Sequence, residues 1–202
     1  PKALAGQRDV RSTILRTGLE CLTESTFGTS SLDTILKRAG VPKGSFYHYF
    51  DSKETFGLAV LEQYDRFFEN LLRKTLANGD LDPLERIASF VHTAAVGMEK
   101  YAFRRGCAVG NLAQEVGTLP DAFRRQLQQI VEKWQRIVLS CLNDLSQSDR
   151  LAARADRQAL AVYSSAGWDG ALMQATLLQS RAPLDIFLQP LLAVLPGSTP
   201  AR

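Results

Sequence analysis

The sequence has few of the residues from which metal sites and disulfide frameworks are built. Among its 202 residues are three cysteines, Cys21, Cys107 and Cys141, and two histidines, His48 and His92, and no two cysteines form a CxxC pair. A structural zinc site needs several such ligands at short spacings, so we predict no metal site. An odd, sparse cysteine count is typical of a reducing compartment, and we expect a cytoplasmic protein without a cofactor.

Long apolar runs and alternating apolar residues are also missing. No run approaches the roughly 18 residues that a membrane span needs, and the N-terminus has no apolar segment of the signal-peptide type. No stretch alternates with a period of two over a useful length, so we expect no strands. Hydrophobic residues make up 45% of the chain and charged residues 22%, as in ordinary globular proteins. The sequence therefore predicts an all-α protein with no membrane partner.

Charge is concentrated near the N-terminus. The formal net charge is +3, and the 24 basic and 21 acidic residues divide as eight against five in residues 1–53 and sixteen against sixteen in the remainder. A local basic excess favours binding to a polyanion, although three charges are a weak signal by themselves.

Apolar residues at helical spacing predict about nine helices. The first fades near Phe27, and a second starts with a capping box at Ser30 to Asp33 and stops at Gly40. Pro42 opens a third helix, and a second cap at Asp51 to Glu54 opens a fourth that ends near residue 76. The remaining helices are expected at about 84–100, from after 107 to 117, 120–145, 157–178, and from 183 to before Pro196, with a loop at 146–149.

The stretch GVPKGSFYHYFDSKETF, Gly40 to Phe56, concentrates polar and aromatic side chains around two phenylalanines. At about 100° per residue, Phe46 and Phe50 fall on one face of the third helix, which we expect to face the core. The opposite face holds small and polar residues with a tyrosine on either side: Gly44, Ser45, His48, Tyr47 and Tyr49.

Two short helices joined by a tight turn with glycine form the helix-turn-helix pattern. The major groove of B-DNA admits one helix, and small front residues let its backbone approach the bases. The flanking phenols can bind phosphate oxygens, and Lys53 adds a cation near the start of the next helix. A surface helix with incidental tyrosines is the alternative, but the combined features favour DNA binding.

The string TSSLDTILKRAGVPKGSFYHYFDSKETF resembles the signature of TetR-family transcriptional regulators. The resemblance implies an all-helical homodimer in which each helix-turn-helix domain, here residues 1–52, reads one half-site of a double-stranded palindromic operator. A ligand-binding and dimerisation domain, here residues 53–202, shifts the half-site spacing when a small-molecule inducer binds. The positions that the resemblance assigns to DNA binding are Ser31, Lys43, Gly44, Ser45, Tyr47, His48, Tyr49 and Lys53.

The stretch FRRGCAVGNLAQEVG, Phe103 to Gly117, places Cys107 directly after a helix break with Arg104 and Arg105 close by in sequence. A thiol at a helix N-terminus near cations is more often a reactive thiolate, whereas a buried cysteine is a small core residue. Both interpretations of Cys107 are open from the sequence. Cys21 and Cys141 lie inside apolar helical patterns and are expected in the core.

Three stretches, PKGSFYHYF, FRRGCAVGNLAQE and GWDGALMQA, together resemble a TetR subgroup whose members respond to acrylate or to electrophiles and oxidants. The resemblance implies that a cysteine at the position of Cys107 is a redox sensor, or that Arg104 or Arg105 pairs with a ligand carboxylate. One departure is Thr176, where these relatives carry lysine. The candidate residues for ligand or redox sensing are Cys107, Arg104, Arg105, Asn111, Trp134, Trp168 and Asp169.

The C-terminal three quarters of the chain leave two alternatives open. Their aromatic residues line a ligand cavity or pack in the core and at a dimer contact, and the last two helices are apolar on more than one face, as at a dimer seam. The competing functions are a constitutive DNA-binding regulator without a ligand and a Cys107-dependent enzyme. We expect no enzyme, because its candidate base, His92, lies among apolar neighbours that favour a buried structural histidine.

Overall fold

The computed structural model describes residues 2–147 and 156–194, and these form nine α-helices and no strand. The helices are α1 (Lys2–Glu24), α2 (Leu32–Ala39), α3 (Lys43–Phe46), α4 (Lys53–Leu76), α5 (Pro83–Glu99), α6 (Ala108–Glu115), α7 (Asp121–Gln147), α8 (Arg157–Leu178) and α9 (Ala182–Val194). The all-α prediction is confirmed. The predicted end of α9 before Pro196 lies outside the described residues. Within them, every helix is too short or too polar to cross a membrane.

The chain divides into two compact units. The N-terminal unit comprises residues up to 67 together with 107–129, and the C-terminal unit comprises 68–106 and the residues from 130 onward. The N-terminal unit therefore holds α1 to α3, the first part of α4, α6 and the start of α7. The domain boundary between residues 52 and 53 stays a prediction.

Phenylalanines form the core of the N-terminal unit. The rings of Phe46, Phe50 and Phe56 lie with their centroids 5.2–5.6 Å apart, and all three are buried. Burying one such side chain contributes roughly 1.5–3 kcal/mol. In α1, Gly18 leaves room for α4, since a Cβ there would lie 2.4 Å from the Phe56 ring. This cluster holds the segment that follows α2 against α1 and α4.

Both predicted helix caps lie one residue later than expected. Ser31, not Ser30, caps α2, and its Oγ accepts a hydrogen bond from Thr34 N at 3.0 Å. Ser30 Oγ instead donates to the Thr26 carbonyl at 2.7 Å. At α4, Ser52 Oγ accepts from the backbone N–H of Thr55 at 3.1 Å, where the sequence had suggested Asp51. In both places a serine hydroxyl accepts from the N–H of the threonine three residues later, which satisfies one of the free N–H groups of that helix.

The glycine stop of α2 is confirmed, but α3 is shorter than expected. Gly40 adopts the left-handed conformation, with φ 66°, that glycine adopts without strain. Pro42 lies outside α3 as its N-cap, and α3 is one helical turn that ends at Phe46. Turns continue it, with Phe50 N donating to Phe46 O at 3.1 Å. Gly44 and Ser45 have low helix propensity, which favours a short helix.

A row of aromatic rings runs through the C-terminal unit. The ring of Phe68 lies 4.3 Å from that of Trp134 and 6.0 Å from that of Phe90. Trp168 continues the row, 4.8 Å from Phe90 and 5.7 Å from Phe187. Such tilted and edge-to-face pairs add stabilisation beyond area burial. These rings pack against one another, as in the core alternative left open by the sequence.

Candidate DNA-binding surface and sensor segment

The segment from Lys43 to Tyr49 presents the predicted face in part. Two residues of the predicted front are half-buried: Ser45 and Tyr49. Phe46 is completely buried, whereas Gly44 and His48 are exposed, and Tyr47 is 53% exposed. Nothing lies within 4 Å of the position where a Cβ would stand on Gly44. Neighbouring residues therefore leave the backbone at Gly44 uncovered, as close approach of a helix to a DNA groove requires.

Lys43 and Ser31 lie at the exposed edge of this surface. Lys43 Nζ forms an ion pair with Asp33 at 2.9 Å, and both side chains are more than half exposed. That hydrogen bond raises the pKa of the Lys43 ammonium, which stays charged. Exposed pairs of this kind contribute little to stability, so a phosphate can replace Asp33. The Ser31 hydroxyl already accepts a hydrogen bond from the N-terminal turn of α2.

Lys53 is held by the protein itself. Its Nζ donates to the Phe27 carbonyl at 2.8 Å and lies 4.5 Å from the centroid of the Phe27 ring. Burial lowers the pKa of this ammonium, and the nearby charge of Glu115 opposes that shift. Lys53 thus anchors the chain between α1 and α2. Its contact with a DNA phosphate, assigned by resemblance, stays a prediction.

Two family models match the chain, one over its N-terminal part and one from the start of α5. A model described as bacterial regulatory proteins, tetR family, matches residues 14–60, which contain the helix-turn-helix. A second, described as the tetracyclin repressor-like C-terminal domain, matches residues 83–191, more than half of the chain. The chain belongs to the TetR family. It is a helix-turn-helix, DNA-binding transcriptional regulator, and the TetR resemblance seen in the sequence is confirmed.

Individual TetR-family relatives match over most of the chain. The transcriptional regulator AcuR of Cereibacter sphaeroides is 45% identical over 174 residues, which cover 86% of this chain and 80% of AcuR. A crystal structure of regulatory protein TetR from Rhodobacter sphaeroides is 43% identical with a TM-score of 0.88, covering 91% of this chain and 97% of that one. The reduced form of Escherichia coli NemR is 29% identical with a TM-score of 0.84, covering 96% and 100%. These matches confirm the predicted subgroup.

Cys107 lies at the start of α6, in a stretch that we call the Cys107 segment, residues 107–115. The cysteine is the N-cap of α6, and its Sγ accepts a hydrogen bond from Gly110 N at 3.5 Å. The predicted position at a helix N-terminus is confirmed, and the side chain is buried, with 8% of its surface exposed. Cys107 therefore has both the helix N-terminal position that favours a reactive thiolate and the burial that favours a core residue.

The Cys107 segment is tied to the chain around the end of α1. Asn111 Nδ2 donates to the Leu22 carbonyl at 2.9 Å. The two carboxylate oxygens of Glu115 accept hydrogen bonds from the N–H groups of Phe27, at 2.8 Å, and Gly28, at 2.7 Å. Charge-assisted bonds to two successive N–H groups are strong and directional. The sequence did not identify Glu115, although its spacing of four from Asn111 places both on one face of α6.

The arginines predicted beside Cys107 follow a tight reversal in the C-terminal unit. Ala102 and Phe103 both have left-handed backbone conformations, with φ 50° and 56°. Arg104 is exposed, and the guanidinium of Arg105 lies 4.0 Å from the centroid of the Tyr101 ring. Their action on the thiol or on a ligand stays a prediction.

The remaining candidate sensor residues lie in the C-terminal unit. Trp134 and Trp168 are buried in the aromatic row. The Trp168 Nε1 and the Thr176 Oγ1 are buried without a hydrogen-bond partner among the described residues. Asp169 is exposed as a whole residue, but desolvation of its carboxyl group raises its pKa. The aromatic row connects Trp134 to Trp168, and the sensing role of these residues stays a prediction.

The environment of His92 differs from the prediction. His92 is exposed, and its Nδ1 lies 3.2 Å from Arg181 Nη2, so the expectation of a buried structural histidine was wrong. Val96, an apolar residue one turn further along α5, is exposed on the same side of the helix, at 48%. Cys21 and Cys141 are buried as predicted, and burial raises the pKa of Cys141 to about 11. Within the described ranges, no group of three or more His, Cys, Asp and Glu residues is arranged to hold a metal ion.

Proposed function

We propose that the protein is a homodimeric, cytoplasmic repressor that binds a palindromic operator and is released by a small reactive or acidic molecule. The releasing molecule is acrylate-like, an electrophile or an oxidant, and it acts at Cys107. One observation carries this proposal. The segment capped by Cys107 is hydrogen-bonded through Asn111 and Glu115 to the chain at the end of α1, next to the helix-turn-helix.

The proposed reaction at Cys107 is addition to an activated alkene. The thiol first gives its proton to water, the thiolate sulfur then forms a bond to the β-carbon as the C=C π bond breaks, and the α-carbon takes that proton back from water. The product is a thioether whose added group does not fit the space around a side chain that is 8% exposed. Overpacking of this kind is relieved by movement of the surrounding backbone, here the first turn of α6.

Movement of α6 would be passed to the chain at the end of α1, which leads into the helix-turn-helix, through three hydrogen bonds. Leu22, Phe27 and Gly28, which these bonds hold, lie at the end of α1 and directly after it. A ligand shifts a two-state equilibrium only by its different affinity for the two states. In this proposal the adduct favours the state in which α6 has moved and the operator is not bound.

Exposed apolar residues on α8 and α9 support the homodimer. Within one chain these helices leave large apolar side chains uncovered at Val162, Tyr163, Met173, Leu177, Leu178 and Ile186. Contiguous exposed apolar surface marks an interaction site. A second copy of the chain covers this face in the proposed dimer and brings a second helix-turn-helix to the operator.

The test compares operator release by wild-type protein and by Cys107→Ser in a gel-shift titration with N-ethylmaleimide and, separately, acrylate. We expect N-ethylmaleimide to release the wild type and to leave the Cys107→Ser complex intact, because serine at this position does not add to the alkene. Operator affinity without reagent should be equal in both proteins.

Cys141→Ser is the matched control, since Cys141 is also a buried thiol but lies in α7. It should respond like the wild type. Normal release of Cys107→Ser by N-ethylmaleimide would contradict thiol sensing. Release of that variant by acrylate alone would indicate non-covalent carboxylate binding. A wild type that neither reagent releases would favour the constitutive regulator.

A further inference from the structure

A polar cleft in the C-terminal unit has no role in the proposed operator release. It has a volume of about 650 Å³ and lies between the end of α4, the first turn of α5 and one face of α7. Small-molecule sites have volumes of about 300–1,000 Å³. The α7 residues that line it, from Lys133 to Asp144, recur at helical spacing and form one face of that helix.

The charged side chains that line this cleft are four cations and one carboxylate. They are Arg73, Arg86, Lys133 and Arg136, with Asp144 as the carboxylate. Glu69, beside the cleft, binds Lys133 at 2.7 Å and Arg73 at 2.8 Å. These two cations, with Lys133 the stronger influence, hold the pKa of Glu69 below its ordinary value. With Glu69 included, two carboxylates stand beside four cations. These six side chains therefore carry an excess of two positive charges.

Three of the cations are held in place before any ligand arrives. Arg86 is nine-tenths buried, and it donates to the Leu81 carbonyl at 2.8 Å and to Asp144 at 2.7 Å. Glu69 fixes Arg73 and Lys133 in the same way. Side chains that are already oriented lose little conformational entropy on binding.

Arg136 differs from the other three cations. It is exposed, and no ion pair or hydrogen bond joins it to another described residue. Its guanidinium can turn toward an anion and bind two oxygens at once. Apolar side chains, Leu76, Ala77 and Ile137, line the same cleft and can contact an organic group.

We infer that this cleft binds a small organic phosphate monoester. The phosphate group carries close to two negative charges at neutral pH, which match the excess charge of the cleft. It offers three acceptor oxygens to the guanidinium and ammonium groups, and an organic body covers the apolar side chains. A cleft of about 650 Å³ is larger than inorganic phosphate alone requires.

Isothermal titration of the full chain with phenyl phosphate tests this inference. Inorganic phosphate supplies the charge without the organic body, and benzoate supplies the ring with a single carboxylate. We expect saturable binding of one phenyl phosphate per chain, tighter than either comparator and weaker as salt rises. Arg136→Gln should weaken it by about tenfold or more, because a charge-assisted bidentate contact is lost. Ser140→Asp, which adds a negative charge to the lining, should weaken it as well.

Two exposed cations outside the cleft serve as controls. Arg66→Gln removes a guanidinium from α4 that is paired with Glu62 at 3.2 Å, and Lys43→Ala removes a cation from the DNA-binding surface. Neither should change the affinity. The inference is wrong if phenyl phosphate does not bind below about 10 mM, if benzoate binds equally well, or if either control weakens binding as Arg136→Gln does. Such a failure leaves the proposed operator release untouched, since no step of that proposal uses the cleft.

Discussion

Lys43 and Lys53 have the same side chain and different surroundings. Lys43 is 57% exposed and paired with the exposed Asp33. Lys53 is partly buried and donates to the Phe27 carbonyl. An ammonium group has three N–H donors, so Lys53 can hold Phe27 and still reach a phosphate. The sequence assigns both lysines to DNA binding, whereas the structure gives Lys53 a second role in stability.

Replacing each lysine separates the two roles. We expect Lys43→Ala and Lys53→Ala each to reduce the salt dependence of operator binding, with the slope of log affinity against log salt falling by about 0.9 for one lost phosphate contact. Only Lys53→Ala should also lower the free energy of unfolding, by about 1 kcal/mol, because the Phe27 carbonyl loses its donor. Filter binding at several salt concentrations and calorimetry measure the two effects.

Lys74→Ala provides the control, as an exposed lysine near the end of α4. Its salt slope should equal that of the wild type. An unchanged slope in Lys53→Ala would show that the lysine acts only on the fold, and an unchanged melting temperature would show that its bond to Phe27 contributes nothing.

At the scale of helices, close packing decides which glycines are needed. Gly18 in α1 faces buried side chains of α4, and an added Cβ would lie 2.4 Å from Phe56 and 2.9 Å from Val60. Gly44 in α3 has nothing within 4 Å of the same position. The sequence pattern marks both as helical glycines, but only the packing of α1 on α4 distinguishes them.

Alanine at these two glycines should affect different properties, stability at Gly18 and operator binding at Gly44. Gly18→Ala should destabilise the protein by about 1–3 kcal/mol, because the contact exceeds the gain of about 0.5–1 kcal/mol in helix propensity. Gly44→Ala should leave the melting temperature within about 2 °C of the wild type but weaken operator binding, since the methyl group stands on the exposed front. Differential scanning calorimetry and a gel-shift titration measure both. Equal melting temperatures for the two variants would contradict the packing described for Gly18.

At the scale of the whole molecule, α8 and α9 leave an apolar side uncovered in the part of the chain that the structure describes. Leu177 is 76% exposed and Tyr163 is 71% exposed. These residues explain why the two helices are apolar on more than one face, since one face packs within the chain and another remains uncovered.

A charge on this face should separate the proposed dimer. We expect Leu177→Glu to have the mass of one chain in light scattering at micromolar concentration, because a buried, unpaired carboxylate costs several kcal/mol. Its operator affinity should fall as well, since a single helix-turn-helix reads one half-site. Gln128→Glu adds the same charge to an exposed position of α7 and should remain dimeric. A Leu177→Glu protein with the mass of two chains would place the dimer contact elsewhere.

The sequence by itself determined the features that depend on neighbouring residues. Helical periodicity predicted the helices, Gly40 the end of α2, and the spacing of Phe46 and Phe50 the buried side of the DNA-binding segment. The position of Cys107 at a helix start follows from the break before it. The caps at Ser31 and Ser52 were missed by one residue, because adjacent serine and acidic residues offer competing caps within one turn.

Only the tertiary structure decided the contacts between distant parts of the chain. Glu115 binds the backbone of Phe27, 88 residues away in sequence. Four cations from three helices meet in one cleft. His92 lies on the exposed side of α5 although its neighbours are apolar. Such contacts depend on how helices cross and which faces meet, and these are set by packing between side chains that local periodicity does not specify.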